Sequence, residues 1–381
     1  MKIYLYFILH ILILLFLFGC VNFEDDAPSF AIYFLKDSTL TMKDIEDKNI
    51  DELKLSNNAW LTQDDIEFYD WSSHCIYLKK DKTFLFPNWE NNNFNEFPPE
   101  WADKPFVVVA NGNRCYMGYF ESFFSHYWKT PLISDGFNSM YPSDVLFIDW
   151  WWLYHDYPQN NPNIKNALMN AGIYHGGISV TFDVTDAILN IEDADTSTIT
   201  YKFTITNNDE DDLYVIDPDK TGSDLFHWFT NGLTFQDINT GKIYEPRWRK
   251  YVQLPSTDYW SSDWFTKLKS GHSIQRTVVL KGYPYFPTGK YMFQFKYNGQ
   301  ISGMEKEVRE LADGRYWLGP TRSNIMVMVL EAKDDSLSKK NVTRKHFEKS
   351  NQLRIFEMNN PFINEYLHIT LTQQEFELKR R

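Results

Sequence analysis

The chain has 381 residues, which at roughly 150 residues per domain suggests more than one folding unit. Hydrophobic residues make up 43% and charged residues 23%, so the composition excludes a disordered chain, while 17 Gly and 16 Pro exclude a collagen-like one. The formal net charge of −13 argues against a general affinity for nucleic acid, so we expect no nucleic-acid partner.

The first twenty residues are typical of an export signal. Lys2 is the only charged residue before Glu24, and residues 3–18 are apolar apart from His10 and two tyrosines. This run is shorter than the roughly 20 apolar residues that a spanning helix needs, so we interpret residues 1–19 as a signal peptide. An uncleaved anchor helix and a signal followed by an incidental cysteine are the alternatives.

Leu17, Gly19 and Cys20 end this apolar run. The pattern resembles a lipobox, the site at which signal peptidase II cleaves before a lipid-modified cysteine, although Phe18 departs from the small residue usual there. The resemblance implies a bacterial cell-envelope lipoprotein whose Cys20 carries fatty acyl chains such as palmitate. Several chains anchor a protein stably, whereas one binds a membrane only marginally. Val21, which is not Asp, implies the outer membrane, on its periplasmic or surface face.

Changes in composition divide the mature chain into four parts. Residues 20–28 form a short acidic tether, and residues 29–172 form an N-terminal region of mixed α+β character. Residues 173–332 contain many short strand-like runs and almost no helix signal, and residues 333–381 form a polar C-terminal extension. We therefore expect a mostly β protein with a smaller α+β part.

The N-terminal region carries both strand and helix signals. Residues 29–35 are aromatic and β-branched and predict a strand, and Asn111-Gly112-Asn113 between two apolar runs predicts a hairpin. Residues 163–170, followed by a glycine, predict a short helix. The acidic stretch 41–53 is also typical of a helix.

The region from residue 173 predicts an antiparallel sandwich. Residues 200–206 and 291–297 alternate apolar and polar side chains, which is typical of strands buried on one face. The segment leading into the second run reads Pro287-x-Gly289-Lys290-Tyr291. This motif resembles the late strand of bacterial immunoglobulin-like modules, and the resemblance implies an immunoglobulin-like β-sandwich. There is no Cys-Trp-Cys pattern, so an antibody-type domain is not expected.

Two cysteines remain once Cys20 is used by lipid. Cys75 and Cys115 both lie in strand-like runs, and an exported protein can form disulfides, so we predict a Cys75–Cys115 disulfide. Two buried free thiols are the alternative. His74 and Cys75 do not form a thiol–base pair, because neighbouring strand residues point to opposite faces.

The densest acidic stretch is residues 209–212, Asp-Glu-Asp-Asp. We interpret it as a solvated turn between strands. The alternative is a Ca²⁺ site formed by Asp209, Asp211 and Asp212, because Ca²⁺ prefers several oxygen ligands. No other cofactor is expected. His175-Gly176-Gly177 predicts a tight linker between the two regions rather than an oxyanion loop.

An aromatic loop lies between strand signals in the second region. Tyr259, Trp260, Asp263 and Trp264 form a candidate ligand site, because indole rings stack on sugar faces and carboxylates bind hydroxyl groups. The alternative is that Trp260 and Trp264 fold back and cover the sandwich core.

No catalytic motif stands out in the sequence. The patterns GxSxG, HExxH and CxxC are absent, as are a phosphate loop and a dinucleotide fingerprint. We therefore expect a non-enzymatic, membrane-anchored lipoprotein with a binding or structural role and an unknown protein or glycan partner. The alternatives are a carbohydrate-binding surface lipoprotein and a hydrolase with scattered carboxylates, because catalytic pairs are recognised by geometry rather than by order.

Overall fold

A computed structural model describes the protein over residues 27–85, 101, 103–121, 130–134, 141–142, 144–149, 158–188, 197–230, 232–245, 261–299, 310–311, 313–332, 351–358 and 373–376. Strands dominate this part of the chain and the helices are short, so the prediction of a mostly β protein is confirmed. No helix among the described residues is long and apolar enough to cross a bilayer.

The elements are numbered in chain order. The strands up to the start of the β-rich region are β1 (Phe30–Phe34), β2 (Leu61–Thr62), β3 (Ile66–Asp70), β4 (Cys75–Leu78), β5 (Pro105–Ala110), β6 (Asn113–Glu121), β7 (Leu132–Ser134), β8 (Val145–Phe147) and β9 (Tyr174–His175). Those that follow are β10 (Ile178–Ile188), β11 (Ser197–Asn207), β12 (Leu213–Ile216), β13 (Leu233–Asp237), β14 (Ile243–Tyr244), β15 (Phe265–Leu268), β16 (Ser273–Tyr283), β17 (Gly289–Asn298), β18 (Glu310–Leu311), β19 (Gly314–Tyr316), β20 (Pro320–Ala332), β21 (Asn351–Met358) and β22 (Gln373–Phe376). The α-helices are α1 (Met42–Ile45), α2 (Pro162–Asn170), α3 (Pro218–Thr221) and α4 (Ser223–Thr230).

The first sheet of the N-terminal region has five strands in the order β2-β1-β5-β6-β7. The predicted strand near residue 30 is β1, and the predicted hairpin is β5–β6, in which Ala110 pairs with Asn113. Asn111 and Gly112 have φ of 49° and 75°, the left-handed values that a two-residue hairpin turn requires. The local sequence thus determines this hairpin.

A second sheet has the order β8-β4-β3-β9, and its strands β4 and β8 are buried throughout. In β4, Cys75 and Tyr77 belong to the core of the β-rich region, whereas Ile76 and Leu78 belong to the core of the N-terminal region. Alternate residues of a strand point to opposite faces, so this sheet serves both cores. The predicted boundary between residues 172 and 173 is therefore crossed by a shared sheet.

Two sheets of the β-rich region pack face to face. One has the order β10-β11-β16 and the other has the order β14-β13-β17-β20-β21-β22. Burial alternates along β11 and β17, as their sequences predict. The ring of Tyr201 lies 5.2 Å from that of Phe295, and the ring of Phe182 lies 5.7 Å from that of Phe293. Aromatic side chains from both sheets therefore fill the space between them.

A side-chain amide joins these two sheets along one edge. The backbone N–H of Phe182 in β10 donates to Asn324 Oδ1 at 2.9 Å, and Asn324 Nδ2 donates to the carbonyl of Phe182 at 3.3 Å. Asn324 lies where the pairing of β17 with β20 is irregular, and such an irregularity redirects a side chain. The amide thus satisfies backbone groups on the edge of β10 as a neighbouring strand would.

The helices differ most from the sequence interpretation. The predicted helix over residues 41–53 is confirmed only in part, because Met42–Ile45 are α-helical and Ile50–Glu52 form a separate 3₁₀ turn. The helix near residue 163 is confirmed as α2, with the Asn161 side chain capping its first turn. The sequence did not predict α3 and α4. The aromatic ring of Phe226 in α4 stacks on Phe203, so this short helix forms through its contact with the core.

Candidate functional site

The turn between β3 and β4 is shaped by one carboxylate. Asp70 Oδ1 accepts hydrogen bonds from the Ser72 N–H at 3.1 Å, from the Ser72 hydroxyl at 2.7 Å and from the Ser73 N–H at 3.2 Å. Aspartate often stabilises a turn in this way. His74 ends the turn with a left-handed φ of 56°. The other oxygen of Asp70 accepts a bond from Arg315 of the β-rich region.

Ser72 connects this turn to the β-rich region. Its Oγ accepts hydrogen bonds from the backbone N–H of Ile178 and from Nε1–H of Trp317, both at 3.0 Å, and donates its own proton to Asp70. A hydroxyl offers one donor and two acceptor positions, so all three are used. Trp317 is fully buried. The Ser72 hydroxyl is therefore wholly engaged in holding the two regions together.

Asp209 is the most heavily bonded carboxylate of this junction. Its Oδ2 accepts from Arg315 Nη2 at 2.7 Å and from the Gly177 N–H at 3.0 Å. Its Oδ1 lies 2.9 Å from His175 Nδ1 and accepts from the Asp211 N–H at 3.1 Å. Burial raises the pKa of Asp209, but the hydrogen bond from His175 and the charge of Arg315 outweigh burial and hold the pKa well below its usual range.

Arg315 lies at the centre of the junction and is 5% exposed. Its Nη2 donates to Asp70 at 3.1 Å and to Asp209 at 2.7 Å, which joins one carboxylate from each region. The guanidinium carbon lies 4.8 Å from the ring centre of Phe68 and 5.7 Å from that of Tyr77. Burial disfavours the charged form, but the two carboxylates overcome this and raise the pKa of Arg315.

His175 forms the solvent edge of the junction. Its ring packs 4.5 Å from Phe68, and its Nε2 lies 3.6 Å from the exposed carboxylate of Glu210. Burial lowers the pKa of His175, whereas the hydrogen bond and charge of Asp209 raise it, and the net shift is upward. The predicted tight linker at residues 175–177 is thus also a polar contact between the regions.

Two glycines allow the turn to approach the β-rich region. Gly177 has φ of 61°, and a Cβ there would lie 2.1 Å from Ser72 Oγ. Gly319 has φ of 100°, and a Cβ there would lie 2.6 Å from Ser73 Cβ. Side chains at either position would push the turn away, because carbon and oxygen atoms do not approach so closely.

The predicted acidic turn is not solvated throughout. Asp209 is buried and paired with Arg315, whereas Asp212 Oδ2 lies 2.9 Å from Lys267 Nζ and its Oδ1 accepts from the Ser270 N–H. Only Asp211 is exposed. Asp212 therefore has a different partner from Asp209 and Asp211, which both lie near His175 and Arg315, and the Ca²⁺ site that the sequence suggested stays a prediction. Among the described residues, ligand atoms of His175, Asp209 and Asp211 do lie within 4.8 Å of one another.

The predicted Cys75–Cys115 disulfide does not form in the structure, where both cysteines are free thiols. Cys75 lies in β4, and its Sγ is 4.0 Å from the carbonyl of Leu318. Cys115 lies in β6 of the other N-terminal sheet, with its Sγ 3.5 Å from the carbonyl of Asn113. The strand character of both residues was predicted correctly, but the strands belong to different sheets.

The aromatic loop is described in part. Trp264 is half-buried and its ring packs 5.3 Å from that of Phe229, while Asp263 is exposed. Tyr259 and Trp260 lie outside the described residues, as does the lipidation candidate Cys20. The structure therefore places one of the two predicted tryptophans against the body of the protein.

Sequence reasoning did not find Asp70, Ser72 or Arg315. The one signal for Arg315 is its position in the run Gly-Arg-Tyr-Trp-Leu-Gly, where a single charge stands among aromatic and apolar residues. A charge in such a run is rarely buried without a partner. The partner lies 245 residues away in the chain, so local patterns do not identify it.

Comparisons with known proteins add little to this description. No family model and no curated protein matches the chain. Among solved structures, the chain is similar to the X-ray structure of Northeast Structural Genomics Consortium target SoR45, with 16% sequence identity and coverage of 45% of this chain and 95% of that chain. The TM-score is 0.20, so the similarity supports no conclusion about fold or function.

Proposed function

We propose that the protein is a lipid-anchored lipoprotein of the bacterial cell envelope, in the outer membrane, with acyl chains on Cys20. The leader supports this proposal, because an apolar run ends in Leu17-x-Gly19-Cys20. The start of the fold is compatible with it. Among the described residues the first strand begins at Phe30, and nine residues lie between it and Cys20 in the sequence, a length that can serve as a tether.

The β-rich body acts as a binding or structural module in this proposal, with an immunoglobulin-like sandwich as its core. Its support is the face-to-face packing of two sheets, joined along one edge by Asn324. Such a module presents its loops and edges to a protein or glycan partner, and it needs no cofactor.

The observation that carries a non-catalytic role is how the buried ionisable groups are used. Asp70, Asp209 and Arg315 are bound to one another across the two regions. Burial raises the pKa of the Cys75 thiol, which disfavours the reactive thiolate. Burial also lowers the pKa of His74 to about 3, and the side-chain hydrogen bond with Asn160 only partly opposes this, so its imidazole stays neutral. These groups hold the fold rather than activate a nucleophile.

Lipidation can be tested with two matched cysteine variants. Cells fed an alkyne-labelled palmitate should incorporate it into the wild type and into the Cys115→Ala variant, but not into the Cys20→Ala variant. The Cys20→Ala protein should also leave the membrane fraction or retain its leader, as intact mass would show. Equal labelling of all three proteins would refute the proposal.

Glycan binding by the aromatic loop is the second candidate function. The observation that favours it is the exposed carboxylate of Asp263 beside Trp264, whose ring is only half-buried. Titration of soluble glycans should change the tryptophan fluorescence of the wild type, and the Asp263→Ala and Trp264→Phe variants should weaken this response. A response that both variants retain would place the glycan site elsewhere.

A further inference from the structure

Three potential metal ligands meet at the solvent edge of the junction. Nδ1 of His175 lies 2.9 Å from Asp209 Oδ1 and 3.8 Å from Asp211 Oδ2. All three ligand atoms lie within 4.8 Å of one another. Ligands of a tetrahedral transition metal, with bonds of about 2.0–2.2 Å, are roughly 3.3 Å apart. The two distances from Nδ1, 2.9 and 3.8 Å, lie on either side of this spacing.

The charges around this point are unbalanced. Four carboxylates, those of Asp70, Asp209, Glu210 and Asp211, lie within 3.8 Å of the guanidinium of Arg315 or the imidazole of His175. When the imidazole is neutral, the positive charge of the guanidinium balances only one of these four carboxylates. Three negative charges then remain without compensation. A divalent cation at the solvent edge would offset most of this excess.

The surroundings of the three atoms match those of a metal site. The carboxylate of Asp209 is held from behind by the Gly177 N–H and by Arg315, which leaves Oδ1 facing His175. With a metal on Nδ1, the proton of His175 would move to Nε2, which lies 3.6 Å from Glu210 Oε1. Metal-bound histidines usually donate their other N–H to a carboxylate in this way.

A second observation comes from Arg315 itself. Its Nε is buried and has no hydrogen-bond partner among the described residues. Asp211 Oδ2 lies 3.8 Å from this Nε, and the Asp211 side chain is half-exposed. A buried donor without a partner calls for an explanation. A small inward movement of Asp211 would bring its carboxylate to Nε and, at the same time, place an oxygen beside His175.

We propose that His175 Nδ1, Asp209 Oδ1 and Asp211 Oδ2 bind one divalent transition metal ion of the Zn²⁺ or Co²⁺ type. An imidazole ligand favours this class of metal over Ca²⁺, and Asp212 is not a ligand. The metal replaces the proton between Nδ1 and Asp209. That proton goes to solvent when Nε2 already carries a proton, and it moves to Nε2 when Nε2 does not. The half-exposed side of Asp211 leaves the fourth coordination position open to water.

Titration with CoCl₂ tests the site directly. The full-length protein without an affinity tag, held in detergent micelles, should take up one equivalent of Co²⁺. The complex should show the strong visible absorption of tetrahedral Co²⁺, and ZnCl₂ should abolish it by displacement. No saturable uptake of Co²⁺ or Zn²⁺, or uptake of Ca²⁺ in preference to both, would overturn the proposal.

Variants separate this site from adventitious binding. His175→Ala and Asp211→Asn should lose the one-equivalent uptake, and Glu210→Gln should weaken it about 10-fold. The control His272→Ala removes an exposed imidazole elsewhere and should bind as the wild type does. Circular dichroism in EDTA should show that all four variants are folded, and Asp211→Asn, at a half-exposed position, keeps the test valid if His175→Ala is unstable. Uptake that is unchanged in both ligand variants would refute the assignment.

Discussion

The two regions of the protein build their cores in different ways. In the β-rich region, long strands such as β11 and β17 alternate buried and partly exposed residues, so each strand has one core face. In the N-terminal region, β4 and β8 are three or four residues long and buried throughout. A short strand buried on both faces depends on neighbours from two regions. The N-terminal region should therefore be the more sensitive to loss of the contacts across the junction.

Removal of the central guanidinium should have the largest effect. Arg315→Met leaves Asp70 and Asp209 as buried carboxylates without their cation, and breaking such a buried pair costs about 3–5 kcal/mol of unfolding free energy. Urea unfolding measures this value. The matched control is Lys267→Met, which removes a cation bound to Asp212 and Asp313 near the surface and should cost far less unfolding free energy, because solvent screens surface ion pairs. If both variants lost the same unfolding free energy, the buried ion pairs of the junction would contribute no more to stability than a surface ion pair.

Removal of one hydroxyl in the β3–β4 turn should have an intermediate effect. Ser72→Ala leaves the N–H of Ile178 and the indole N–H of Trp317 without their acceptor, at a cost of about 2 kcal/mol in unfolding free energy. The control Ser56→Ala removes an exposed hydroxyl that bonds locally to the Asn58 carbonyl, and should change stability by less than about 0.5 kcal/mol. A Ser72→Ala protein as stable as the control would show that this turn does not hold the regions together.

The contribution of His175 should depend on pH. Its folded-state pKa is raised, because the hydrogen bond and charge of Asp209 outweigh the opposing effect of burial. The protonated form therefore stabilises the fold, fully below the ordinary pKa of about 6.5, and this stabilisation is lost as pH rises through the folded-state pKa. In EDTA, the difference in unfolding free energy between wild type and His175→Gln should be larger near pH 5.5 than near pH 9. A difference for His175→Gln that stays the same across this pH range would contradict the ion pair.

Reductant is expected to leave the stability of the fold unchanged, which makes it the smallest of these effects. Because Cys75 and Cys115 are free, the melting temperature should be the same with and without reductant. In the Cys20→Ala variant, unfolding without reductant should expose two reactive thiols. In the native protein, half-buried Cys115 should react before Cys75, whose thiol is buried. Thiols that become reactive only after reduction would restore the disulfide prediction.

The sequence predicted those parts of the fold that local patterns determine. The Asn111-Gly112 turn follows from residues that accept left-handed φ, and the alternation in β11 and β17 follows from one buried face. The helix α4 was missed because it forms against Phe203, a contact that composition does not show. The residues of β4 do not alternate between apolar and polar side chains. This lack of alternation was the available sequence signal for a strand buried on both faces.

The candidate site was less predictable than the fold. His175, Asp209 and Asp211 stood out in the sequence as a linker and an acidic turn, and the structure brings them together. Arg315 did not stand out, because its partner Asp70 is distant in the chain. A buried ion pair between regions depends on the final arrangement of the sheets, so side-chain spacing within one segment does not reveal it.

The most direct test of the shared sheet and the junction is the cooperativity of unfolding. Differential scanning calorimetry of the full-length protein should show one transition for the two regions, with a calorimetric enthalpy equal to the van't Hoff enthalpy. This follows because β4 contributes Cys75 and Tyr77 to one core and Ile76 and Leu78 to the other. Two separate transitions, with the N-terminal region melting independently of residues 173–332, would contradict the account.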